Sequence, residues 1–179
     1  YVFFVLAGPG VTALHYNCMR IVRGVPVWWW DDYKECVRRE WKKAMLLSAI
    51  LGALWSGYVY ALRLIIAVSG GLGLMYSMLF AVCGFVLTGL TALSYQQLAN
   101  VELPFGNVLK NALLLIFAGK GRSFAAVMFA LAALALCARY YLYAFFVLLV
   151  GFYAVGVMTF SLIFLPVFNE FFPSGDDAQ

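Results

Sequence analysis

The sequence has little charge. Asp, Glu, Lys and Arg make up 11% of its 179 residues, whereas about 25% is usual in a soluble globular domain. Hydrophobic residues make up 65%, and the mean hydropathy is +0.93. This composition excludes an ordinary soluble domain and indicates a protein that lies in a membrane. Because the apolar runs take up most of the chain, we predict a single integral membrane domain over residues 1–179.

Groups that carry metal, redox or acid–base chemistry are also scarce. The chain has one histidine and four cysteines, and the cysteines form no CxxC pair. Metal binding and general acid–base catalysis both need several converging groups. The net charge of +4 gives no support to nucleic-acid binding. We therefore predict a protein without a cofactor, a bound metal, a nucleic-acid partner or an enzymatic activity.

The remaining polar residues are concentrated between Gly8 and Ala44. This stretch holds the only histidine, three consecutive tryptophans and seven of the twelve Lys and Arg residues. It begins with Gly8-Pro9-Gly10, and these residues disfavour a continuing helix, so we predict that the first helix is stopped or bent there. Since the chain begins at Tyr1 inside an apolar run, we also expect the N-terminal part of the first span to be missing.

The lengths and the periodicity of the apolar runs define the fold class. An uncharged run of about 20 residues can span a bilayer, whereas the amphipathic segment Phe105 to Ile116 is too short and is expected to lie in the interface plane. We predict an all-α fold, a polytopic transmembrane helical bundle of about five spans, the first truncated or broken, plus short interfacial amphipathic helices. A charged helix from Tyr33 to Lys43 should continue directly into the second span. The predicted spans after the first are 44–68, 74–98, 123–137 and 142–165.

The distribution of basic residues predicts an orientation. Segment 20–43 holds seven Lys and Arg residues and segment 102–122 holds three, which leaves only Arg63 and Arg139. Basic residues that flank spans favour the cytoplasmic side. We therefore expect both basic segments in the cytoplasm, Arg63 and Arg139 outside, and the acidic C-terminal tail in the cytoplasm by the parity of the spans.

Several short motifs occur in an order that is similar to a known family. They are Pro9 followed by Thr12-Ala13-Leu14 and Tyr16, then Arg23-Gly24, an aromatic and acidic run before Trp41-Lys42, Leu109-Lys110-Asn111-Ala112-Leu113, and Pro166-Val167-Phe168. Over nearly its whole length the chain resembles the YesL-like family of bacterial membrane proteins, a domain of unknown function common in Gram-positive bacteria.

The resemblance implies a multi-pass protein of the bacterial cell membrane. It also implies an accessory role in oligosaccharide uptake, with the subunits of a sugar ABC transporter as partners, and it brings no catalytic residues to this chain. His15 stands where another residue type is expected in many relatives, so a special role for it would be particular to this protein.

Six residues are candidates for ligand binding. His15 could transfer a proton, but it has no second histidine as a partner. Arg63 and Arg139 could together receive an anionic sugar or a phosphate headgroup, although separate snorkelling to the interface explains them more simply. A polar cavity near His15 would favour transport or binding, and a packed interior would favour an interaction protein. The six candidates are Thr12, His15, Tyr16, Arg20, Arg63 and Arg139.

Eight residues are candidates for partner binding. The tryptophans suit a position at headgroup level, where indole rings anchor a chain, and stacking on sugar rings is the alternative. The basic run is typical of an orientation signal or a contact with anionic lipid, and a docking surface is the alternative. The expected partners are the lipid bilayer, sugar ABC transporter subunits and a second copy of the chain. The eight candidates are Trp28, Trp29, Trp30, Arg38, Arg39, Lys42, Lys43 and Lys110.

Two functional hypotheses follow. The first is a non-enzymatic accessory membrane protein of carbohydrate ABC import. The alternative is a small-molecule transporter or channel that uses the broken helix near Gly8 to Gly10, because interrupted helices expose backbone groups for binding. An intramembrane enzyme would require a cluster of polar residues from several spans.

Overall fold

The computed structural model describes residues 2–69, 73–101, 103–118, 120–139 and 147–171. These residues form six helices and contain no strand, which confirms the prediction of an all-α fold. The predicted turn at the tyrosines 140–143 and the acidic tail beyond 171 lie outside the described residues. The helices are α1 (Val2–Val22), α2 (Trp29–Ser69), α3 (Leu74–Asn100), α4 (Phe105–Ala118), α5 (Lys120–Arg139) and α6 (Val147–Phe171).

Two of the described helices are long and apolar enough to cross a membrane. They are Trp29–Ala67 within α2 and Leu74–Asn100, which is α3. A third span results if Phe105–Ala118 and Gly121–Ala132, which are inclined at 108° to each other, are taken together as one bent span. The described residues thus have the helix lengths and apolar composition that are typical of a helical membrane protein.

The first helix is not stopped at Gly8-Pro9-Gly10, so the part of the prediction that places a helix end there is wrong. α1 continues from Val2 to Val22 with Pro9 inside it. Proline costs one backbone hydrogen bond, but the two glycines allow α1 to lie close against α2, its most extensive neighbour. A methyl group on Gly8 would overlap the side chain of Ser48 and would lie 2.7 Å from the carbonyl oxygen of Ala44. Tertiary packing therefore keeps the helix intact where local propensity predicts a break.

A short connection turns the chain from α1 into α2. Gly24 has a φ of +73°, and the backbone N–H of Val25 donates to the carbonyl of Arg20, as in the left-handed caps that end many helices. At the start of α2, the Asp32 carboxylate accepts from the backbone N–H of Trp28 at 2.8 Å. α2 begins at Trp29, four residues before the predicted start at Tyr33.

The charged and apolar parts of α2 form one continuous helix, as predicted. Its 41 residues extend over about 62 Å at the usual rise per residue. This is about twice the thickness of a hydrocarbon core. The charged part of the helix therefore extends well beyond the apolar part that can lie in the bilayer.

The core contains two groups of packed side chains with α3 in contact with both. The larger group joins α1, α3, α4, α5 and α6 and includes Met19, Leu93 and Phe164, all fully buried. The smaller group joins α2, α3 and α4 and includes Leu47 and Leu51. Each fully buried aliphatic or aromatic side chain contributes about 1.5–3 kcal/mol in water, and in lipid the gain comes instead from close packing.

Three boundaries differ from the predictions. α6 continues through Pro166 to Phe171 instead of ending at the proline. α5 begins at Lys120, so Ser123 lies inside the helix and is buried. α4 begins at Phe105 as predicted but continues past Ile116 to Ala118. Its exposed side is polar only in its first half, at Asn107 and Lys110, and becomes apolar near Phe117, which is 70% exposed.

The close approach of α1 and α2 gives a test of the packing. The substitution Gly8→Ala should lower the free energy of unfolding by about 1–3 kcal/mol, since the added methyl group meets a backbone carbonyl that cannot move alone. The matched control is Gly57→Ala in α2, where an added methyl group meets nothing within 4 Å. That control should leave stability unchanged or raised. Thermal unfolding midpoints in one detergent compare the two, and a G8A midpoint at or above the wild-type value would contradict the packing.

Candidate functional site

The predicted ligand-binding residues do not form one site. Thr12 and His15 are packed in the interior, and the Thr12 hydroxyl donates to the carbonyl of Gly8 at 2.9 Å. Tyr16 and Arg20 line a cavity at the end of α1. Arg63 is exposed on the distant part of α2, and the side chain of Arg139 lies outside the described part of the structure. The predicted polar region is thus divided into a packed part and an open part.

His15 is the centre of the packed part. It is 3% exposed, and its Nδ1 lies 2.7 Å from Oε1 of Gln96. The hydroxyl of Ser161 donates to the same oxygen at 3.4 Å. With Oε1 as the acceptor, the proton of a neutral His15 is on Nδ1. These three side chains come from α1, α3 and α6, so one amide oxygen joins three helices.

Aromatic rings surround this contact. The ring of His15 is stacked with that of Tyr95 at 6.2 Å between centroids, and Phe160 presents its edge at 6.5 Å. The Tyr95 hydroxyl lies 2.6 Å from the hydroxyl of Ser48, which donates its own proton to the carbonyl of Ala44. Tyr95 is therefore the donor to Ser48. This second contact joins α3 to α2 beside the histidine.

Several buried polar atoms near this contact have no hydrogen-bond partner among the described residues. Both polar atoms of the Gln97 side chain and Nε2 of Gln96 are of this kind, and both glutamines are fully buried. Asn17 donates through Nδ2 to the carbonyl of Trp29 at 2.9 Å, while its Oδ1 is unpaired within the same part of the chain. An unpaired buried polar atom costs about 1–3 kcal/mol.

Gln96 and Gln97 are not among the residues predicted from the sequence to form a site. The signal that identifies them is their position in an uncharged run long enough to be a span, because polar residues in such runs are rare and usually have a partner or a function.

The open part is a cavity of about 280 Å³ between the end of α1, the charged part of α2 and the end of α3. Its wall contains three arginines and one carboxylate, so its charge is predominantly positive. The lining residues are Tyr16, Arg20, Arg23, Arg39, Glu40, Leu98, Ala99, Asn100 and Val101.

Two of the three arginines in this wall are ion-paired. Arg20 binds Asp32 at 2.9 Å through Nη1 and donates to the carbonyl of Pro26 at 2.9 Å through Nη2. Arg39 lies 3.3 Å from Glu40 through Nε, and its Nη2 donates to the carbonyl of Ala99 at 3.4 Å. These contacts neutralise two positive charges and hold the three helix ends together.

The third arginine is different. The guanidinium of Arg23 stands over the ring of Phe168 at 4.9 Å from its centroid. No carboxylate among the described residues forms an ion pair with it. Although Arg23 as a whole is exposed, partial burial of its guanidinium lowers its pKa, the direction expected for a cation that loses water without gaining a carboxylate. It remains protonated at neutral pH.

The predicted partner-binding residues are all exposed, and one of them, Arg39, also lies in the cavity wall. Trp28, Trp29 and Trp30 are 78%, 47% and 64% exposed, and two of them lie in the first turn of α2 instead of in a loop. Lys43 lies 3.1 Å from Glu40. Arg38, Lys42 and Lys110 are exposed and have no ion-pair partner in the described ranges.

No group of three or more His, Cys, Asp or Glu side chains that could hold a metal ion occurs among the described residues. Comparisons of the chain with protein-family models, with curated proteins and with solved structures find no match. The resemblance to the YesL-like family therefore stays a prediction that rests on its motifs.

The contact between His15 and Gln96 can be tested by a double-mutant cycle. Gln96→Leu should cost about 1–3 kcal/mol, because it leaves the buried Nδ1–H of His15 without an acceptor. His15→Phe combined with Gln96→Leu should cost about 1–2 kcal/mol less than the sum of the single substitutions, since both partners are then apolar.

Unfolding in mixed detergent micelles measures these free energies. Thr159 is half-buried, and its hydroxyl donates to the carbonyl of Val155 within the same helix. It provides the control substitution Thr159→Ala, expected to change stability by at most about 0.5 kcal/mol. Additivity of the two core substitutions within about 0.5 kcal/mol would show that the contact does not couple α1 to α3.

Proposed function

We propose that this chain is a non-enzymatic accessory protein of the bacterial cell membrane, associated with carbohydrate ABC import, which binds its transport partner through the exposed basic side of α2. The family motifs support the association with import. The observation that supports the binding surface is the charge pattern on the first half of α2. One side of this part of the helix is buried in the protein, and the opposite side is exposed and carries basic residues.

The two sides of this helix have different environments. Asp32, Cys36, Glu40 and Ala44 recur every four residues and are all buried. On the opposite side, Lys34, Arg38, Trp41 and Lys42 are exposed. Neither Arg38 nor Lys42 has an ion-pair partner among the described residues, and the Lys42 ammonium lies 5.6 Å from the centre of the Trp41 ring. Free cations beside an exposed indole ring form a surface that suits an acidic and aromatic partner surface.

The proposal includes an orientation and a number of spans. The basic part of α2 lies in the cytoplasm, about five spans cross the membrane, and α4 lies in the interface. Lys42 and Arg63 belong to one helix and are 21 residues apart, about 32 Å at the usual rise per residue. This separation equals the thickness of a hydrocarbon core, so the two side chains should emerge on opposite sides.

Cysteine labelling in intact cells tests this orientation. The reagent is a membrane-impermeant maleimide, and the background carries Cys83→Ser because Cys83 is an exposed native thiol. Arg63→Cys should be labelled from outside, and Lys42→Cys only after the membrane is permeabilised. The reverse pattern would contradict the orientation, and labelling of both from one side would contradict a crossing by α2.

Crosslinking and co-purification test the partner. A photoreactive amino acid at position 38, introduced in a native host that grows on an oligosaccharide, should form an adduct with an ABC permease. The same amino acid at Tyr60, which is 65% exposed on the apolar part of α2, serves as the control and should not form it.

Charge reversal should weaken the same association. The double substitution R38E with K42E should lower the recovered permease by about tenfold, because repulsion replaces attraction at two positions. R63E makes a charge change of the same kind at the other end of α2 and should leave recovery unchanged. If gentle extraction recovers no transport component with the wild-type protein, the proposed function is wrong.

No observation favours the alternative function, a small-molecule transporter or channel. It required a broken helix at Gly8 to Gly10, and α1 is continuous there. Thr12 and His15 are also packed against neighbouring helices and do not line the cavity.

A further inference from the structure

We propose that the cavity lined by Tyr16, Arg20, Arg23 and Arg39 binds a phosphate-bearing anion, supplied by the headgroup of an anionic lipid or by free phosphate. The inference does not depend on the proposed partner, because it concerns a different side of α2. It rests on the charge around the cavity, the donors that face it and its place beside the tryptophans.

The charges around the cavity do not balance. The arginines at positions 20, 23 and 39 carry three positive charges, and Asp32 and Glu40 carry two negative ones. Glu40 is also bound by Lys43 at 3.1 Å, so its negative charge is shared between two cations. One to two positive charges are therefore left without a counterion, and a cavity wall concentrates their field on any anion that enters.

Arg23 is the main donor available to such an anion. Its guanidinium rests on the Phe168 ring and forms no hydrogen bond with the residues that the structure describes. The planar guanidinium can present two parallel N–H groups to a phosphate, which gives a strong and oriented contact. Tyr16 adds a hydroxyl that accepts from Arg20 at 3.3 Å and therefore keeps its own proton for donation.

The position of the cavity favours a lipid headgroup as the source. Arg20 binds Asp32, and Asp32 in turn accepts from the backbone N–H of Trp28. Asp32 therefore connects the cavity to the exposed tryptophans. Tryptophan rings typically lie at the depth of the lipid headgroups. Its volume of about 280 Å³ is close to the lower limit of about 300 Å³ for small-ligand pockets, so it suits a headgroup and not an acyl chain.

A purely structural role for the arginines is the competing explanation. Arg39 does serve the end of α3, because its Nη2 donates to the carbonyl of Ala99. Arg20 likewise holds the connection between α1 and α2 through Pro26. The guanidinium of Arg23 makes no such hydrogen bond to a backbone carbonyl among the described residues. Substitution of Arg23 therefore tests ligand binding without removing a contact that holds a helix end.

The test uses the detergent-purified full chain with three additives: phosphatidylglycerol, phosphatidylcholine and inorganic phosphate. Phosphatidylglycerol should raise the thermal unfolding midpoint of the wild-type protein more than phosphatidylcholine does, and native mass spectrometry should detect it bound. Arg23→Gln should weaken this binding about fivefold or more, the value expected for one basic contact of about 1 kcal/mol. The midpoint of R23Q without lipid should stay near that of the wild type.

Arg38→Gln is the matched control. It removes one positive charge, as Arg23→Gln does, but Arg38 lies in α2 and outside the cavity wall, so this variant should keep the lipid effect. If inorganic phosphate alone reproduces the effect, the site exists and its source is free phosphate. Should R23Q be too unstable to purify, Arg23→Lys provides the test, since it keeps the charge and loses the two parallel donors.

Three outcomes would overturn the inference. The first is an equal response of the wild-type protein to phosphatidylglycerol and phosphatidylcholine, with no response to phosphate. The second is a lipid response of R23Q or R23K equal to that of the wild type. The third is an equal loss in R38Q, which would indicate a general attraction between a basic surface and anionic lipid.

Discussion

The close contact between α1 and α2 is the constraint on which the rest of the structure depends. Gly8 brings the α1 backbone against Ser48 and the Ala44 carbonyl. The ion pair of Arg20 with Asp32 and the hydrogen bond from Asn17 to Trp29 then hold the other end of the pair. Fixed at both ends, α1 presents His15 to α3 and its terminal arginines to the cavity. A looser contact between α1 and α2 would move His15 away from α3 and would separate the residues that line the cavity.

Polar side chains connect the helices in the interior of the bundle. Gln96 accepts from α1 and α6, and Tyr95 beside it donates to Ser48 of α2. In lipid, hydrophobic surface gives little preference for one helix neighbour over another. Hydrogen bonds between helices, and small residues where helices touch, determine which helices pack together. The polar residues of α3 therefore specify which faces of α1, α2 and α6 meet. Their energetic cost is smallest when every polar atom has a partner.

The sequence predicts the helices better than it predicts their contacts. The all-α class, the continuous α2 and the extent of α3 follow from the lengths of the uncharged runs and their boundaries, because these properties are local. The helix end predicted at Pro9 is wrong because the packing of Gly8 against Ser48 involves residues forty positions apart. The extension of α6 beyond Pro166 likewise differs from what proline alone predicts.

The candidate site shows the same limit. Tyr16 and Arg20, two of the predicted ligand-binding residues, line the cavity, whereas Thr12 and His15 do not. Arg23 lies three residues after Arg20, in the connection to α2, whereas Arg39 belongs to α2, and only the fold brings Arg39 to the cavity. The basic run from Arg38 to Lys43 looks uniform in the sequence, yet a helix turns about 100° per residue and divides it. Arg39 and Glu40 line the cavity, while Arg38 and Lys42 are exposed to the surroundings. One mostly basic run therefore contributes to two separate surfaces, a cavity sized for a small anion and a flat exposed surface that only a larger partner can cover.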